Sequence, residues 1–167
     1  DTRSAQEVLS RADFACHLAK RSGRNQVHVF DQKDEANVAA LTLDMGWTRR
    51  IKDGIEQNRF LLARQPIVSL GNRGTNTYEI LVRLRDEHDR VIMPNGFFPS
   101  AERFGLTTDI DLWVITRAIR SLVVLRQQQP DAHFSINLSG QTLSQTNVAD
   151  YIIDELRRNS LDPSALI

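Results

Sequence analysis

Apolar positions recur at three- and four-residue spacing near the start of the chain. Ala5, Val8, Leu9, Ala12, Ala15, Cys16 and Ala19 form one stripe and predict a helix over 4–20. Lys20 and Arg21 stand where cations suit a helix C-terminus, and Gly23 follows as a cap. Gln26-Val27-His28-Val29-Phe30 then alternates like a short strand. One helix and one strand cannot bury a core, so residues 1–30 read as the end of something larger. Residues 31–35 are polar. After them Ala36, Ala39, Leu43, Trp47, Ile51 and Ile55 keep helical spacing, which predicts a connecting helix over 31–45 and a second helix, with a bend near Gly46.

The pattern changes at residue 60. Phe60–Leu70 reads as a strand containing Gln65-Pro66, and Gly71, Asn72, Gly74 and Asn76 make the next stretch turn-rich. Residues 77–85 are the clearest strand, followed by a loop or hairpin over 86–95 and a short helix over 100–104 entered after Pro99. A long helix runs from Asp109 to about Gln129, with Ile110, Val114, Ala118, Leu122 and Leu125 on one face. Phe134–Leu138 is a strand, Val148–Arg158 a helix, and Leu166-Ile167 opens another strand. Strands alternating with helices predict an α/β fold with a mainly parallel sheet. Periodicity does not choose between an open sheet and a barrel.

Charge narrows the partners. Twenty-one basic residues balance twenty-one acidic ones, which argues against a generic polyanion binder, and so a nucleic acid polymer, but not against a local basic pocket for one small phosphate ligand. The single cysteine, Cys16, precludes an intrachain disulfide, and its place among alanines predicts core packing. No run approaches a membrane span and no apolar leader opens the chain. The expectation is a cytoplasmic segment without membrane contact, in a parent that could be membrane-anchored.

Alternation places candidate chemistry. On 77–85, Tyr78, Ile80, Val82 and Leu84 share one face; Thr77, Glu79, Leu81, Arg83 and Arg85 share the other. A carboxylate and a guanidinium on one side of such a strand are costly to bury unpaired. On residues alone two readings stand: an internal Glu79–Arg83 pair or solvated edge strand, and a polar site at a strand end, where α/β folds place ligands. On the strand near 134–139, Ser135, Asn137 and Ser139 share a face. The oxygen of Asn137 suits a hard cation, while the pattern taken alone is better explained by a plain amphipathic strand or by Ser139 capping the next turn. The four histidines, His17, His28, His88 and His133, show no metal-ligand spacing. Phe97-Phe98 beside Pro99 reads as core.

Several blocks in order resemble the EAL domain family: Gln65-Pro66-Ile67, Glu79-Ile80-Leu81-Val82-Arg83, Pro94 with Phe97–Gly105, Asp111-Leu112-Trp113-Val114, and Ser135-Ile136-Asn137-Leu138-Ser139. The resemblance covers 46–167, with Ile80 where the signature tripeptide has alanine. Residues 12–27, with Lys20-Arg21-Ser22-Gly23-Arg24-Asn25, resemble the closing helix and strand of a GGDEF domain, without the GGDEF motif itself. This implies a C-terminal GGDEF tail over 1–30, a connecting helix over 31–45 and the N-terminal half of an EAL domain over 46–167.

The EAL resemblance implies a partial TIM-barrel-like (β/α) fold, and hydrolysis of cyclic-di-GMP to the linear dinucleotide at a two-metal site holding Mg or Mn. It implies Glu79 and Asn137 as metal ligands. It implies Arg83 as a phosphate holder, and Gln65, Leu81 and Pro99 as lining of the substrate site. A complete barrel needs about 250 residues. The family's general base, its lysine and its other metal-binding carboxylates therefore fall in the half beyond this chain, and no catalytic residue is assigned within it. Three outcomes follow as expectations: a parent phosphodiesterase, a degenerate cyclic-di-GMP receptor signalling through 31–45, and, for the 167 residues alone, an inactive piece that self-associates through an open sheet edge.

Overall fold

The computed structural model describes residues 8–9, 11–12, 15–16, 19, 25–31, 46–71, 76–144 and 147–167. The chain divides into two compact units, Asp1–Gly46 and Trp47–Ile167. The predicted connecting helix over 31–45 lies almost wholly outside the described residues.

In the first unit every described residue between 8 and 19 is helical (α1), as the apolar spacing predicts. Gln26 Nε2 donates to the Ala19 carbonyl at 3.1 Å, and the Arg11 guanidinium lies 5.0 Å from the Phe30 ring centre. Two expectations change here. Residues 26–30 belong to no strand, because alternation supplies a face and not a hydrogen-bonding partner. Cys16 is exposed rather than packed.

The second unit opens with α2, helical through residue 56. It continues with β1 (Phe60–Ile67), β2 (Thr77–Arg85), β3 (Val91–Ile92), a 3-10 turn (Pro94–Gly96), α3 (Phe98–Phe104) and α4 (Thr107–Arg126). Then come β4 (His133–Ile136), α5 (Gly140–Leu143), α6 (Val148–Arg158) and a second 3-10 turn (Pro163–Ala165). Gly105 closes α3 in the left-handed region at φ 69°, and Pro99 occupies its first turn.

The sheet is mixed, which corrects the expectation of a mainly parallel one. β1 runs antiparallel to β2, from Phe60 opposite Leu84 to Ile67 opposite Thr77, and β3 is antiparallel to β2. The connection over 68–76 is shorter than the dozen or so residues a parallel crossover needs. Parallel pairing begins only after α3 and α4: β4 pairs with Thr77–Ile80 of β2, and Leu166 bridges in parallel to Phe134.

One face of the sheet makes the core. Phe60, Ile80, Leu84 and Phe134 pack with Ile110, Val114, Ala118 and Leu122 of α4 and with Phe97. Phe60 meets Phe97 edge-on at 5.6 Å, and Phe97 is fully buried, as its reading as core requires. A second stripe of α4, Ile115 and Ile119, packs against Val148 and Leu156 of α6. Ile51 of α2 joins the first cluster, and α2 crosses the sheet at Gly54, where an added Cβ would stand 2.8 Å from Leu84 Cδ1 and 3.1 Å from Phe60 Cε2.

Candidate functional site

The core face takes the even-numbered residues of β2, so the odd-numbered ones line the opposite face. In register, Glu79 stands between Gln65 of β1 and Ser135 of β4. Leu81 stands opposite Ala63, and Arg83 opposite Leu61. Asn137, two residues past Ser135, extends this face just beyond the end of β4. Its Nδ2 donates to Glu79 Oε1 at 2.7 Å. Glu79, Leu81 and Arg83 are half-buried; Gln65 and Asn137 are exposed. Strand rise puts Arg83 roughly 13 Å beyond Glu79 along β2. The structure therefore gathers Gln65, Glu79, Leu81, Arg83 and Asn137 on one face. Pro99 is exposed in the first turn of α3 and lies off that face.

The internal pair expected between Glu79 and Arg83 is not what Glu79 makes: its carboxylate takes the Asn137 amide instead. Carboxylate and amide oxygens are hard donors of the kind magnesium or manganese takes. The pair fits part of such a shell, with the amide turned so that its oxygen, rather than its nitrogen, faces the ion. Among the described residues no three His, Cys, Asp or Glu side chains cluster as a metal site.

Behind Asn137 lies a buried polar network, of which the sequence offered Ser139 as a cap but not the partners of Asp111. Asp111 of α4 is 3% exposed, and its Oδ2 accepts from the Ser139 backbone N–H at 2.8 Å and from Thr142 Oγ1 at 2.6 Å. Ser139 caps α5, accepting from the Thr142 N–H at 3.2 Å. One turn earlier on α4, Thr107 Oγ1 donates to Gln141 Oε1 at 2.7 Å. The available signal was a carboxylate in step with Ile115, Ala118 and Leu122 on the buried arc of α4.

A family model for the EAL domain matches residues 48–167. The chain belongs to the EAL domain family. The EAL segment occupies the second unit, and its fold is the α/β arrangement of solved EAL domains. It is 27% identical to the Xanthomonas citri FimX EAL domain solved in complex with c-diGMP, with a TM-score of 0.68 over 77% of this chain and 49% of that one. The cyclic di-GMP phosphodiesterase PdeB of Shewanella oneidensis is 39% identical over 153 residues, 89% of this chain and 17% of that protein. The bifunctional diguanylate cyclase/cyclic di-GMP phosphodiesterase MucR of Pseudomonas aeruginosa is 29% identical over 168 residues, 100% of this chain and 24% of that protein. The chain thus spans about half of the solved EAL domain and less than a quarter of the two curated relatives.

Proposed function

We propose that this chain is part of a cyclic-di-GMP phosphodiesterase, contributing the first half of its EAL domain. The observation that carries the reading is the meeting of Glu79 and Asn137 at 2.7 Å on the face that also holds Arg83, in a chain homologous to named cyclic-di-GMP phosphodiesterases. In this reading Glu79 and Asn137 hold a magnesium or manganese ion. When bound, such an ion acidifies water and offsets charge on the phosphate under attack. Arg83 holds a ligand phosphate through its guanidinium fork, a geometry that lysine would not reproduce. Gln65 and Leu81 line the nucleotide site beside it, with Pro99 at its margin. Residues 1–30 close a GGDEF domain and 31–45 connect it to the EAL segment; a match that runs through all of this chain to a relative named as a bifunctional diguanylate cyclase and phosphodiesterase supports the pairing of the two domains. No helix among the described residues is long and apolar enough to cross a membrane, and we assign the segment to the cytoplasm.

Calorimetric titration of the chain with cyclic-di-GMP in magnesium, with Arg83→Ala beside it, tests the reading. We expect saturable binding that weakens at least tenfold in the variant. Equal affinity in both would remove Arg83 from the site. In the parent protein, Glu79→Ala should reduce hydrolysis to background; binding retained by a parent that never hydrolyses would instead make the domain a receptor.

A further inference from the structure

The geometry points to Asp111 as a positioning residue that sets the turn after β4 so that the Asn137 amide meets Glu79. The inference rests on the proposed function only for the purpose of that meeting; the positioning itself is a property of the fold. Asn137 lies outside the ladder, exposed, one residue beyond the end of β4. A side chain on such a segment keeps one direction only if the backbone around it is held. On its N-terminal side Ile136 is held by the sheet, its N–H bonded to the Ile167 carbonyl at 3.0 Å. On its C-terminal side Leu138 packs against the α4–α6 cluster, and the Ser139 N–H is hydrogen-bonded to Asp111.

The same carboxylate oxygen takes the hydroxyl of Thr142 at 2.6 Å. Thr142 has one hydroxyl proton to give. Its 2.9 Å contact with Ser139 Oγ is therefore donated by Ser139 when Thr142 points at Asp111. Its 3.3 Å contact to Thr108 Oγ1 is the longer alternative. Both ends of the turn, Ser139 and Thr142, thus converge on one oxygen of a residue from another element. Asp111 sits beyond the first turn of α4, so it caps nothing on its own helix. A buried carboxylate is a costly occupant of a helix core. An apolar residue would fill that place better if packing were the only demand. What the carboxylate supplies, and a leucine could not, is an acceptor for the Ser139 N–H.

The test reads the Asn137 side-chain amide by NMR in the 167-residue chain, its signal assigned by its loss in Asn137→Asp. In the unaltered chain one Asn137 Hδ2 proton should shift downfield and exchange slowly, as a donor to Glu79. Asp111→Leu should return it to the position of a solvated amide and weaken manganese binding, followed by electron paramagnetic resonance, by about tenfold to a hundredfold. Asp111→Asn keeps an acceptor oxygen and should restore both, which a purely structural role would not predict. An Asn137 amide unchanged in folded Asp111→Leu overturns the inference. If Asp111→Leu fails to fold, the near-isosteric Thr142→Val decides: a partial shift of the amide supports the inference, and no shift overturns it. If the amide behaves as expected while the unaltered chain binds no manganese, the positioning role stands and the metal assignment falls.

Discussion

Asp86 shows what a single side chain can hold in place. Its Oδ1 accepts from the backbone N–H groups of His88 and Arg90 at 2.8 and 2.9 Å, and its Oδ2 from Arg90 Nε at 2.8 Å. Burial pushes the carboxyl upward, but the two N–H groups and the guanidinium outweigh it and hold the pKa at about 2. A carboxyl lowered in the folded state stabilises it above the unfolded pKa and loses that contribution as pH falls through the folded one. Heat denaturation from pH 4 down to 2 should therefore fall less steeply in Asp86→Asn than in the unaltered chain; parallel curves would show that the turn does not depend on the charge. Among the site residues, Glu79, Leu81 and Arg83 were legible because alternation on β2 needs no partner strand. Gln65 and Asn137 were named from their own segments and the resemblance, but that they share this face follows from the β1–β2 and β2–β4 register, which is a property of pairing and not of any one segment. Asp111 was legible as part of a family-like block and as a polar break in an apolar arc, neither of which names its partners.

At the scale of elements, the longer strands and helices of the second unit were readable and their pairing was not. The long helix starts two residues before the predicted Asp109 and buries a wider arc than one stripe, since α4 packs on the sheet and on α6 at once. The antiparallel start of the sheet was implicit in the short connection over 68–76, where strand alternation drew attention to the strands rather than to the distance between them. The seating of α2 was not foreseeable, because Gly54 acts through space. A methyl group there would press on Leu84 and Phe60, 2% and 3% exposed. Gly54→Ala should cost about 1–3 kcal/mol, despite the better helix propensity of alanine. Urea denaturation checks this, and an unchanged midpoint would mean that α2 can slide to make room.

At the scale of the whole molecule, the mixed sheet presents an edge. β1 pairs with β2, and among the described residues no other strand pairs with it. Pro66, exposed near the end of β1, removes one donor from the strand, a feature that blunts edges without abolishing them. Light scattering of the chain should give a mass above the 19.0 kDa of one copy, rising with concentration; a constant single-copy mass would show that the edge does not recruit a second chain. Within the unit, β2 has two ladders over Thr77–Ile80, with β1 and β4, whereas at Leu81–Arg83 the described pairing is with β1 alone. Glu79 thus stands on the doubly braced half of the strand and Arg83 where bracing drops to one side. Leu84 is paired on both sides again, with Phe60 of β1 and Ile92 of β3, so the guanidinium stands on a three-residue span pinned at each end, one pin shared with the contact that Glu79 makes with Asn137.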